Sequence, residues 1–189
     1  MKYFPRLISS NMTVFTTDEL KTLFGIQNSS HINNIMQVMK KNSLVKNVAK
    51  RLRCLNNYNE WELASKIRYP SYISFESVLQ KSWIIFQNYQ HTITLAASNS
   101  LKKEIDGISI EYHKIKTSIL TNPVGLNYNW KYYEACPERA ICDMVYLYKN
   151  TNFDNISNLD LKRLEEISCI YPKKTNLLLS NLIKYAQSE

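Results

Sequence analysis

The period of the apolar positions changes several times along this chain, and each change marks an element. In "FTTDELKTLFG", Leu20, Leu23 and Phe24 share one face of a helix predicted to begin at Thr17. Its start is a capping box: the Thr16 hydroxyl is spaced to accept from the Glu19 amide, while the Glu19 carboxylate reaches back to the Thr16 amide. Phe15 and Leu20 form the matching hydrophobic staple, and Gly25 ends the helix in the left-handed conformation that glycine tolerates. After a short turn, Ile32, Ile35, Met36 and Met39 recur at helical spacing, leaving Ser30, Asn33, Asn34, Gln37 and Lys41 on the opposite face. "SLVKNVAKRLRCLN" then shortens the period to two. Leu44, Val45, Val48, Leu52 and Leu55 alternate imperfectly, which predicts two short strands joined by a basic turn.

Helix, turn, helix and basic hairpin make a winged helix-turn-helix. The expected architecture is α+β: this module over residues 1–57, then a mixed α/β domain over 58–189 with a small antiparallel sheet and C-terminal helices. Trp61, Leu63, Ala64 and Ile67 predict a connecting helix, broken before Pro70. In "YPSYISFESVL", Ser71 is suited to order a turn and Ser74 to cap a helix carrying Phe75, Val78 and Leu79 as far as Trp83. Ile93 and Leu95 alternate before an Asp106-Gly107 turn, with Ile108, Ile110 and Tyr112 after it, which reads as a hairpin; a further strand is expected in "NWKYYEA". "CPERAICDMVYLYKN" predicts a helix with Pro137 first and Ile141, Met144, Val145 and Tyr148 on its buried face. Two helices finish the chain, one capped by Ser157 or Asn158 and one after Pro172. Trp83, Tyr132 and Tyr133 are expected in the core.

Composition narrows the class. The chain has 189 residues, 44% hydrophobic and 21% charged, as in ordinary globular proteins. No apolar run approaches the roughly 18 residues that span a bilayer, and the N-terminus has no apolar core suited to a signal peptide, so a cytoplasmic protein without a membrane partner is expected. The net charge of +8 is uneven: residues 1–66 hold ten Lys/Arg against four Asp/Glu, and residues 67–189 hold fourteen against twelve. A basic N-terminal third is the footprint of a nucleic-acid binder, although it also serves solubility. Asn and Gln can pair bidentately with adenine, so the acid-free polar row of the second helix fits base reading. An ordinary polar surface is the alternative. Lys41 and the wing residues Lys50, Arg51 and Arg53 suit phosphates, although such modules also bind proteins.

Signals for catalysis are weak. Three glycines leave no phosphate-cradling loop, and His31, His91 and His113 lie at no metal-ligand spacing. Cys54, Cys136, Cys142 and Cys169 include no Cys-x-x-Cys pair and read as reduced, buried filler. Glu138 and Asp143, five apart on a helix, point about 140° away from each other and make no acid–base pair. Glu138 suits the helix N-terminus, and Arg139 or Asp143 an ion pair or cap. No catalytic residue, metal or cofactor is expected.

The string Ser71, Tyr72, Ile73, Ser74, Phe75, Glu76, Ser77, Val78, Leu79 resembles a Ser-Tyr-Ile-Ser-aliphatic-Glu-Ser-Ala-Leu segment of the AbiEi family of antitoxins and transcriptional regulators. Pro137, Glu138, Arg139, Ala140 and Asp143 match that family's Thr-Pro-Glu-Lys-Ala-x-x-Asp helix, with Cys136 in place of threonine. The resemblance runs over nearly the whole chain, from the winged helix through both strings. It implies an autorepressor that binds inverted repeats in its own promoter as double-stranded DNA, and an antitoxin against a co-expressed AbiEii-type nucleotidyltransferase toxin, countered directly or only functionally. On this resemblance the two strings build a non-catalytic C-terminal domain or its antitoxin surface. A solitary regulator or a protein-interaction module is the alternative.

Overall fold

The structure, a computed structural model, describes residues 2–87, 91–149, 151–157 and 159–187. It is mixed α+β and divides into two compact units, residues 1–67 and 68–189.

The first unit runs α1 (Phe4–Ser9), β1 (Val14–Thr16), α2 (Thr17–Phe24), α3 (Ser29–Lys41), β2 (Val45–Ala49), β3 (Leu52–Leu55) and α4 (Glu60–Ile67). α2 starts at the capping box: Thr16 Oγ1 accepts from the Glu19 amide at 3.2 Å and Glu19 Oε2 accepts from the Thr16 amide at 2.8 Å. Gly25 closes it at φ +69°. Asn28 caps α3, its side-chain oxygen accepting from the Ser30 and His31 amides. Ile32, Met36 and Met39 turn inward to join Leu7, Phe15, Leu20, Phe24 and Val45 in one core, and Ile35 packs at its edge. Burial of each such side chain stabilises the unit by about 1.5–3 kcal/mol. The β2–β3 hairpin forms as expected, and β1 adds a third strand to give the antiparallel order β1-β3-β2.

The unit extends to Ile67 rather than ending at residue 57 because α4 is tied into it. Buried Glu62 accepts from the Thr13 amide at 2.9 Å and the Thr13 hydroxyl at 2.6 Å. Lys66 pairs with Glu62 at 3.2 Å and Glu19 at 2.8 Å, and donates to the Val14 carbonyl at 2.6 Å. One lysine thus joins α4, β1 and the start of α2.

The second unit runs β4 (Ser71–Ile73), α5 (Glu76–Lys81), β5 (Thr92–Ala97), β6 (Leu101–Ile105), β7 (Ile108–Lys114), α6 (Thr117–Leu120), β8 (Leu126–Tyr128), β9 (Tyr133–Ala135), α7 (Pro137–Tyr148), α8 (Leu161–Ser168) and α9 (Lys173–Ala186). Its sheet has six strands in the order β6-β7-β5-β4-β9-β8, larger than anticipated and mixed, with β5–β7 and β4–β9 parallel. The Asp106-Gly107 turn joins β6 to β7, whereas β5 lies on the other side of β7. Composition explains the exchange: Ile93 to Ala97 are buried throughout, so β5 takes the interior, and Lys102, Lys103 and Glu104 keep β6 at the exposed edge.

Other expectations change in this unit. Ser74 is not a helix cap; Phe75 precedes α5 at φ +57°, and the Ser74 hydroxyl is used elsewhere. α5 ends at Lys81, which leaves Trp83 72% exposed; Tyr133 is also exposed. Tyr148 lies outside the buried face of α7, because Glu138 to Val145 are all buried and the helix emerges after them. Asp160 caps α8, accepting from the Arg163 amide at 3.0 Å in place of Ser157, and Asn158 lies outside the described residues. Three cysteines are buried and Cys169 is exposed. No helix among the described residues is long and apolar enough to cross a membrane.

Candidate functional site

The first unit carries a polar, cationic face made by α3 and the β2–β3 hairpin. Ser30, Asn33, Asn34, Gln37 and Lys41 are all exposed along α3. Lys50 and Arg51 are exposed at the two-residue hairpin tip, where Arg51 takes φ +64° without a glycine. Arg53 is half-buried on β3, and its guanidinium donates to the Leu52 carbonyl at 3.3 Å and to Asn33 Oδ1 of α3 at 3.5 Å. Helix and hairpin thus enclose a cleft of about 240 Å³ lined by Asn33, Met36, Gln37, Lys40, Asn47 and Arg53. Lys40 and Asn47 were not anticipated in this group. Periodicity places Lys40 one position from Lys41, but only the pairing of β2 with β3 brings Asn47 opposite the helix.

Charge is segregated within the unit. No acidic residue occurs between Glu19 and Glu60, a stretch containing α3 and the whole hairpin. Of the acids outside it, Asp18 pairs with Lys21 at 3.1 Å, and Glu19 and Glu62 both pair with Lys66. Lys40, Lys41, Lys46, Lys50, Arg51 and Arg53 therefore lie in a segment with no carboxylate of its own. Such a surface attracts polyanions over a screening length of roughly 8 Å at physiological salt.

The two family-like strings of the second unit come together in its interior. Asp143, fully buried, accepts from the Tyr72 hydroxyl at 2.9 Å, the Ser74 hydroxyl at 2.7 Å and the Tyr171 hydroxyl at 2.7 Å. Arg139 lies one helical turn earlier, its Nε 3.7 Å from the Asp143 carboxylate. Its terminal nitrogens donate to the carbonyls of Val124 at 2.6 Å and Ile119 at 2.7 Å and to the Tyr72 oxygen at 3.0 Å. The rings of Tyr72 and Tyr171 flank the guanidinium, 5.3 and 5.6 Å from its carbon. Burial pushes the Asp143 carboxyl above its ordinary value, against the pull of Arg139 and the hydroxyl donors.

Neighbouring residues of the strings are likewise internal. Ser77 and Thr94 exchange hydrogen bonds: the Ser77 amide donates to Thr94 Oγ1 at 3.0 Å, and the Thr94 amide to Ser77 Oγ at 2.8 Å. Glu138 Oε1 accepts from the Asp160 amide at 3.3 Å, Ser71 donates to the Arg68 carbonyl at 2.6 Å, and Pro137 opens α7. Ser71, Tyr72, Ser74, Glu76, Ser77, Glu138, Arg139 and Asp143 are all buried. Of these, Tyr72, Ser74, Arg139 and Asp143 tie β4 and the residue after it to α7, and the set does not form an outer surface. Tyr171 was missed because its link to Asp143 runs to α7 from the connection between α8 and α9, beyond the reach of any local pattern.

Burial raises the hydroxyl pKa of Tyr72, Tyr112 and Tyr171. A tyrosine whose folded pKa is raised contributes stability that is whole below its unfolded value, about 10, and is lost as pH rises beyond it. Because the Cys136 and Cys142 thiols are shifted the same way from a lower ordinary value, about 8.5, the urea midpoint is expected to hold near pH 7, to begin falling above about pH 8.5 and to fall more steeply above about pH 10. Tyr171→Phe should make that fall shallower. Burial also pushes the Cys136 thiol up to about 11 and Cys142 well above its usual value, so both stay protonated near neutrality. Among the described residues, no group of three or more His, Cys, Asp or Glu side chains is placed to hold a metal ion. No protein-family model matches this sequence, and no curated protein matches it.

Proposed function

We propose that the chain is a DNA-binding transcriptional autorepressor and an antitoxin of the AbiEi type, with a winged helix-turn-helix as its first unit. The observation that carries the DNA half is the acid-free face on which α3 and a basic hairpin tip stand side by side. The element order α1-β1-α2-α3-β2-β3 with a β1-β3-β2 sheet suits that module. α3 would enter the major groove with Asn34 and its neighbours on base edges, while Lys50 and Arg51 meet phosphates. Anisotropy titrations with the chain's own upstream DNA and a scrambled duplex, at two salt concentrations, test this reading. Selective, salt-sensitive binding is expected. Asn34→Ala should cost about 1–3 kcal/mol on the upstream duplex only, and Arg51→Ala should weaken both duplexes alike and flatten the salt slope. Equal weak binding to both duplexes would contradict the assignment.

The antitoxin half rests on the resemblance and on the exterior of the second unit. Tyr128, Trp130 and Tyr133 are exposed at the β8–β9 hairpin, where the Tyr128 ring lies 4.8 Å from that of Tyr133 and 6.1 Å from that of Trp130. Exposed aromatic clusters favour protein partners. The same cluster favours the second reading, a protein-interaction module without a toxin. Co-expression with an AbiEii-type nucleotidyltransferase separates the two: relief of toxicity supports the antitoxin, and undiminished toxicity supports the solitary module.

A further inference from the structure

The polar row of α3 divides in two once the hairpin is in place. At 3.6 residues per turn, Asn33, Gln37 and Lys40 fall within an arc of roughly 60°, and Ser30, Asn34 and Lys41 form a second row centred roughly 70° around the helix. The first row lines the cleft against Asn47 and Arg53, and the second does not line it. Apart from Met36, the lining consists of two cations and three amides, with no carboxylate. Arg53, one of the lining residues, donates to Asn33 and the Leu52 carbonyl, both neutral, so those bonds leave its charge uncompensated.

We propose that this cleft is a seat for one backbone phosphate of duplex DNA, gripped by Lys40 and Arg53, with the Gln37 and Asn47 amides as further donors. The inference rests on the DNA-binding reading and deepens it. With α3 in the major groove and the hairpin tip over the next minor groove, the strand dividing the two grooves has to pass between helix and hairpin, where the cleft lies. The seat therefore fixes register, while Ser30 and Asn34 on the second row read sequence. Asn33 and Gln37 move from base reading to phosphate positioning.

The test uses the full chain, its upstream duplex, a scrambled duplex, and salt varied from roughly 0.05 to 0.2 M. Lys40→Gln is expected to weaken both duplexes by the same factor and to flatten the plot of log affinity against log salt by about 0.9, the loss of one phosphate contact. Lys40→Arg should restore both. Lys40 is exposed, so the thermal midpoint should not move, which separates a lost contact from a misfolded variant. A wild-type slope in Lys40→Gln would overturn the seat while leaving the regulator intact. A flattened slope without any selectivity in the wild type would keep the seat and sink the regulator, and no binding to either duplex would sink both. Inorganic phosphate, added at constant ionic strength, is the remaining probe. It is expected to compete no better than chloride; displacement of DNA by phosphate from the wild type but not from Lys40→Gln would reassign the cleft to a free phosphate.

Discussion

Replacing Arg139 by alanine is expected to destabilise the chain by about 3–5 kcal/mol, a large share of the roughly 5–15 kcal/mol that holds a typical domain folded. Arg139 is fully buried and is among the largest side chains in that state. Its removal strips the nearest cation from Asp143 and the guanidinium donors from the Ile119 and Val124 carbonyls. It also empties the space between the Tyr72 and Tyr171 rings. A buried carboxylate stripped of its cation is the dominant cost, since neither water nor another charge replaces the guanidinium. Arg139→Lys should recover little, because one ammonium cannot span two carbonyls and a phenol from a single position. The double variant Arg139→Met/Asp143→Leu should recover most of the loss, since it removes both charges while keeping volume. Urea titrations followed by fluorescence measure all three. A loss under about 1 kcal/mol for Arg139→Ala would mean that water reaches Asp143 and that the network contributes little.

Gly125→Val is the second large effect. Gly125 precedes β8 at φ +76°, a left-handed conformation that a β-branched residue resists. Any Cβ there would lie 2.9 Å from Ile167 Cδ1, 3.0 Å from Arg139 Cβ and 3.3 Å from Cys136 Sγ. Backbone strain of about 1–2 kcal/mol adds to overpacking of about 1–3 kcal/mol, and the crowding falls on the residue that anchors the buried network. The same urea titration should show a drop of several kcal/mol. Gly107→Val makes the comparison, because Gly107 has φ +81° but nothing within 4 Å of a Cβ; it should lose the strain component alone. Equal losses at the two sites would show that packing against Arg139 contributes nothing.

Local chemistry was legible in the sequence and long-range chemistry was not. Thr16, Glu19 and Gly25 set the bounds of α2 because a cap acts within one turn, and the stripe Ile32, Met36, Met39 oriented α3 without knowledge of its neighbours. The hairpin tip at Lys50 and Arg51 was readable for the same reason. Ser74 has the right chemistry for a cap, yet its hydroxyl goes to Asp143, a partner 69 residues away. Arg139 and Asp143, read as an ion pair or cap, do pair, but in the interior, where Tyr72 and Ser74 from one segment and Tyr171 from another supply Asp143 with hydrogen bonds. The strand order failed similarly: β5 and β6 both flank β7, and only the charge on β6 separates edge from interior. On α3, the polar row was legible as a row, but its division into a cleft face and an outer face depends on where β2 and β3 lie.

DNA is proposed to be held by the first unit, on α3 and the hairpin. Hydrogen–deuterium exchange of the full chain, with and without its upstream duplex, tests it most directly. Slowed exchange is expected to concentrate in residues 29–41 and 45–55 when the duplex is bound, with residues 68–187 unchanged at the same DNA concentration. Protection confined to the second unit, or no protection anywhere at a concentration that saturates binding, would contradict it.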